Sequence, residues 1–279
     1  MKRITVFALV FILILSLSSV AFAEPAQVAY GILEEGMSGD VVRVVVDLAD
    51  NWSVGFHPMA FYLFDQPAYN NEGDFMAYGT LLSDESFASL VEAHADSERV
   101  DKDGYIVFTE ADGRTTFAAP VGENLHIMLM VDPTADADAV WKRVSYEQED
   151  YNFADPVQTA SGVLADIKDD SLLVDVTLDL KYGWSAKFLP SAFYLFNEDT
   201  TEGDFDVYGT LLNETDYALI MESHADDETL EEKDGYLMYT AEDYTGIIAP
   251  VTENEYITLI VYGIYDAEAM WERVSYELF

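Results

Sequence analysis

Two histidines sit between carboxylates in one local pattern: Glu92, His94 and Asp96, and again Glu222, His224 and Asp226. Imidazole beside two carboxylates is a donor set for a divalent metal, or an acid and base for hydrolysis. The spacing opposes both uses. Residues two apart on a helix project to different sides, so the three converge only if the helix stops near the histidine. His94 also falls on an apolar stripe, where a histidine ordinarily packs and hydrogen-bonds. Packing is therefore the expected role, with a metal or hydrolytic site as the alternative. Aligning the two halves of the chain puts Leu189 opposite His57 and Thr258 opposite His126, so neither belongs to a site that both halves share.

Aromatic rings are the second candidate. Trp52 and Trp184, with Tyr62 and Tyr194, lie near polar turns and acids. Such rings stack on sugars or hold cationic groups. The competing reading is that each Trp plugs the end of a core; Trp141 and Trp271 read as core outright. No nucleophile elbow, zinc-protease helix, phosphate loop or dinucleotide fingerprint occurs in the sequence. The stretches before Gly104 and Gly235 lack the first ligand of a calcium loop and read as Asp-Gly turns. No cofactor is expected, beyond a loose Ca²⁺ affinity of the acids.

These residues recur because most of the chain does. EGDFMAYGTLL (72–82) returns as EGDFDVYGTLL (202–212); AFYLF precedes it in both copies, and HAD, KDGY, APV and W-x-RVSYE follow in the same order. Each copy is near the commonest domain size. The expected organisation is a signal peptide at 1–23, repeat domains at 28–147 and 159–279, and an acidic linker at 148–158.

Within a copy, Val42, Val44, Val46 and Leu48 alternate with polar residues, as do Val174, Val176, Leu178 and Leu180. A period of two predicts half-buried strands. AFYLF, YIVFT, TTFAA and LHIMLMV are further strands. After YGTLL the period changes. Ser83 and Asn213 are predicted N-caps, and Phe87, Leu90, Val91 and His94 form a helical stripe. A second helix is expected to carry Ala137, Val140, Trp141 and Val144, matched by Ala267, Met270, Trp271 and Val274. Segregated strands and helices predict α+β: two tandem homologous domains, each a mainly antiparallel sheet with two short helices packed on it. The shared EGDF…YGTLL segment reads as a structural corner, with Gly79 where the backbone bends or a neighbour comes close.

Charge narrows the partners. The chain has 53 acids, 13 Lys and Arg, and a formal net charge of −40. That balance disfavours nucleic acid and anionic membranes. With half its residues hydrophobic, the chain is not of disordered type. Lys2, Arg3, an apolar run and Ala21-Phe22-Ala23 predict export with cleavage after Ala23. The absence of cysteine suits a bacterial export product. The sequence thus points to a secreted, non-enzymatic binding or cell-envelope interaction module for a neutral or cationic ligand, whether glycan, basic peptide or Ca²⁺. A secreted hydrolase built on carboxylates and histidine, and a purely structural secreted protein, are the alternatives.

Overall fold

The computed structural model describes residues 27–34, 41–65, 75–149, 159–165, 172–197, 205–224, 230–263 and 265–278. The predicted signal peptide, most of the predicted linker and Asp226 lie outside the described residues.

The first half contains β1 (Val28–Glu34), β2 (Val41–Asp47), β3 (Ser53–His57), β4 (Ala60–Phe64), β5 (Ala77–Ser83), α1 (Asp84–Ala93), β6 (Glu98–Lys102), β7 (Tyr105–Thr109), β8 (Thr115–Pro120), β9 (Leu125–Val131), α2 (Ala137–Lys142) and β10 (Val144–Glu149). The second half follows the same order: β11 (Thr159–Ala165), β12 (Leu173–Asp179), β13 (Ser185–Leu189), β14 (Ala192–Phe196), β15 (Val207–Asn213), α3 (Glu214–Ser223), β16 (Glu231–Glu232), β17 (Leu237–Thr240), β18 (Tyr244–Pro250), β19 (Glu255–Tyr262), α4 (Ala267–Trp271) and β20 (Val274–Leu278). Strand predominates and the class is α+β.

All described strand pairings are antiparallel. They build two sheets. One has six strands in the order β10-β2-β1-β11-β12-β20; the other has fourteen, in the order β16-β17-β18-β19-β15-β14-β13-β3-β4-β5-β9-β8-β7-β6. Both sheets run through both halves, joined where β1 meets β11 and β3 meets β13.

Period-two patterning aims one face of each sheet at the other. Val42, Val44, Val46 and Leu48 are fully buried, as are Val174, Val176 and Leu178. They pack in one cluster with Phe56, Phe61, Phe188 and Phe193. The sequence suggests a separate interior for each half; the structure instead has one connected interior. The reason is edge pairing. Each half's three-stranded piece of the smaller sheet would leave β1 or β11 with an unpaired edge, and joining the halves removes both edges.

The shared YGTLL, expected as a corner, is instead a strand, β5 or β15, paired on both sides because its side chains alternate. A Cβ on Gly79 would lie 2.1 Å from the Phe61 ring, and one on Gly209 would lie 2.1 Å from Phe193. The glycine is there so that a fully buried ring can lie flat on the strand.

The helices behave as their caps suggest. The Ser83 hydroxyl accepts from Ser86 N, and the Asn213 side chain accepts from Thr215 N and Asp216 N. The α1 stripe is only half-buried. The second helix ends earlier than its stripe suggests. Val144 and Val274 belong to strands β10 and β20 rather than to helices. At each boundary an arginine takes over: Arg143 Nη1 donates to Ala49 O at 2.9 Å, and Arg273 Nη1 to Lys181 O at 3.1 Å. These bonds tie the helix end to the turn after β2 or β12 and start the next strand.

Candidate functional site

The paired histidines end helices. His94 caps α1; its backbone N–H donates to Leu90 O at 3.1 Å, and its Nδ1 is 2.9 Å from the same oxygen. A carbonyl only accepts, so Nδ1 is the donor in this contact. Nε2 faces Glu110 Oε1 at 3.3 Å, and the ring centroid lies 5.0 Å from that of Phe108. His224 caps α3 through Ile220 O and packs 4.3 Å from the Tyr239 ring. Glu92, Asp96 and Glu222 point into solvent. Among the described residues no group of three or more His, Asp or Glu side chains is arranged to hold a metal.

The aromatic candidates separate. Trp184 is buried, with Tyr265 edge-on at 5.4 Å and the Arg273 guanidinium 5.0 Å from its ring. Trp52 is half-buried beneath Arg143 at 4.7 Å. Both tryptophans thus meet the arginine just after the second helix of their half, a cation–π contact. Tyr62 and Tyr194 are buried on the other face of the larger sheet. Tyr62 packs with Phe75 and Tyr78, and Tyr194 with Phe205 and Tyr208. Neither cavity described below, among the described residues, is lined by any of these four.

A cleft opens elsewhere. Beside α3 lies a cavity of about 430 Å³ lined by Tyr217, Tyr236 and Tyr256, with Leu237, Ile248 and Pro250 among its apolar walls and Glu232 and Lys233 at its rim. Tyr217 and Tyr256 stack with centroids 4.0 Å apart and planes 11° apart. Burial raises the Tyr236 and Tyr256 hydroxyls above the usual phenol range, so both rings are neutral donors. Lys233 is held by Glu231 at 2.8 Å and Glu268 at 3.0 Å, which also raise its pKa. The rim therefore presents no uncompensated cation there.

The equivalent place in the first half carries Phe87 stacked on His126, centroids 4.0 Å apart and planes 7° apart. The registers correct the alignment made from sequence. Leu82 pairs with His126, and Leu212 pairs with Tyr256, so His126 corresponds to Tyr256 and not to Thr258. The flanking matches, APV at 119–121 and 249–251 and W-x-RVSYE at 141–147 and 271–277, share the offset of 130 that puts His126 opposite Tyr256. An alignment anchored on YGTLL and carried at constant offset would have exposed the Phe-His to Tyr-Tyr exchange.

Two further polar places stand out. In the middle of the larger sheet Tyr78, Tyr62, Gly55, Lys187, Tyr194 and Tyr208 stand in one cross-strand row. Lys187 is 1 % exposed, and burial pushes its ammonium down to about 8. Its Nζ lies 3.9 Å from the centre of the Phe64 ring. On the smaller sheet, a shallow cavity of about 240 Å³ is lined by Asp175, Thr177, Ser275, Tyr276 and Glu277. Burial raises the Asp175 carboxyl; Tyr30 donates to its Oδ2 at 3.4 Å and opposes that shift, while Glu277 adds to it.

Comparison with known protein families and with curated proteins finds no match to this chain.

Proposed function

We propose that the chain is an extracytoplasmic, non-enzymatic binding module grown from two tandem homologous domains, and that it takes a neutral, hydroxyl-rich ligand such as a glycan in the cleft beside α3. The tyrosine lining carries this reading. Three rings around an apolar wall offer flat faces to sugar rings, and their hydroxyls offer polar contacts at the edge. Charge supports the ligand class. A net charge of −40 weighs against anionic ligands, and Lys233 is already neutralised by two glutamates. The cleft holds no nucleophile with an adjacent base, which favours binding over hydrolysis.

The test is a titration of the secreted chain with neutral and acidic oligosaccharides and with Lys/Arg peptides, repeated on Tyr236→Ala and Tyr256→Ala. Binding of neutral glycans, lost in both variants while melting is kept, is the expected result. Binding unchanged in both variants would place the ligand elsewhere. Binding of basic peptides alone would replace the glycan by a cationic ligand.

A further inference from the structure

The two joints between the halves share a geometric property. At one, Tyr30 faces Ser161, with Ala29 opposite Gly162 and Gly31 opposite Ala160. At the other, Gly55 faces Lys187, with Val54 opposite Phe188 and Phe56 opposite Ala186. Matching VAYGILE to TASGVLA aligns Tyr30 with Ser161, and matching WSVGF to WSAKF aligns Gly55 with Lys187. Each joint is therefore centred on a position that faces its own counterpart, and its neighbours cross over. A local two-fold axis produces that pattern, as in isologous interfaces between identical subunits.

An isologous surface is complementary to itself. The backbone register alone would let the first half pair with the first half of another chain, or the second half with another second half, as well as it lets the first pair with the second. The side chains on the axis must choose. Lys187 leaves β13 opposite a residue without a side chain and reaches across the joint to Phe64 on β4, where its head is buried. Pairing two second halves would set Lys187 against Lys187. Directly opposed residues in an antiparallel pair have Cβ atoms only about 5 Å apart. Two long stems would compete for one space, and two like charges would be held out of water, where repulsion is least screened.

We propose that Lys187 opposite Gly55 is a pairing-specificity device. It admits a first half against a second half and rejects a second half against its own kind. The surface then fits one partner besides the chain itself: another copy of this chain, exchanging halves reciprocally into a closed dimer. Contacts of second half with second half, which in alternation with contacts of first half with first half would build open chains, are blocked.

Refolding the full chain from denaturant over a concentration series, with particle mass read by light scattering, tests this. Wild type should return as monomer plus a dimer whose share rises with concentration. Lys187→Gly should put a several-fold larger share into species beyond the dimer. Gly55→Lys opposes two lysines and should lower the monomer yield and the melting temperature. Combining both changes moves the single lysine to the other side of the axis and should restore wild-type behaviour. The proposal is overturned if Lys187→Gly refolds to the wild-type distribution, or if the double variant is no better than Gly55→Lys alone. If Lys187→Gly does not refold, the comparison of Gly55→Lys with the double variant decides.

Discussion

Residues 27–149 and 159–278 follow one plan and differ in where their side chains face outward. Facing inward, the halves agree almost position by position. Gly79 lies under Phe61 and Gly209 under Phe193; Trp141 and Trp271 pack against the core; Arg143 and Arg273 end the second helices. Facing outward, they diverge. Gly55 stands against Lys187, Arg43 against Asp175, and the Phe87–His126 stack against the Tyr217–Tyr256 stack. Close packing explains the agreement, since a buried methylene more or less is felt at once. Away from the shared interior the halves differ instead: the second has the open tyrosine cleft, and the first has the glycine that accommodates the buried Lys187.

The strongest way to break this comparison is at the matched glycines. Gly79→Ala and Gly209→Ala each push a methyl into a buried phenyl ring and should each destabilise by about 3 kcal/mol. Because the interior is connected, each variant should melt in a single transition, shifted by a similar amount. Two transitions, or a large effect at only one glycine, would show that the halves are not equivalent inside.

Lys187 should give a pH signature that Gly55 cannot. Its folded pKa, lowered by burial to about 8, lies below the ordinary lysine value of 10.5. Between these values the unfolded chain binds more protons, so the contribution of this group to stability rises with pH across that window. The size is roughly 3 kcal/mol as an upper figure. Melting of wild type minus that of Lys187→Met, followed from pH 7 to 10, should climb; a flat difference would mean that the ammonium is not penalised by burial.

Arg143→Ala and Arg273→Ala sharpen the inward agreement at lower cost. Each removes bonds to backbone carbonyls and a guanidinium from over Trp52 or Trp184. Losses of about 1–2 kcal/mol are expected for both, measured by denaturant midpoint, with the fluorescence of the adjacent Trp changed.

The smallest effect should be at Asp175. Its folded pKa is raised, chiefly by burial. The folded chain then binds more protons than the unfolded one just above the ordinary carboxylate range, and stability falls as pH rises through that window. Asp175→Asn should be slightly more stable than wild type at neutral pH, and the gain should vanish in acid. A loss at neutral pH would mean that the Tyr30 hydrogen bond outweighs desolvation.

Local chemistry was legible in the sequence. Alternation of Val42, Val44 and Val46 named a strand and its buried face; Ser83 and Asn213 named helix starts; the glycine of YGTLL was read as a close approach, and rings do lie on it. Each depends on residues a few positions apart, where propensity and period act directly. The candidate sites were less legible. Trp52 and Trp184 were singled out for residue type, which does not reveal that an arginine about 90 positions away covers each ring.

By itself the sequence determined the repeated plan, the strand faces, the caps and the acidic surface, because backbone sterics and hydrophobic period are short-range properties of the chain. Only the tertiary structure decided that β1 would pair with β11 and β3 with β13, that one interior would serve both halves, and that Lys187 would face Gly55. Strand edges are alike in their hydrogen-bonding groups, so the choice of partner falls to side chains that only the folded assembly brings face to face.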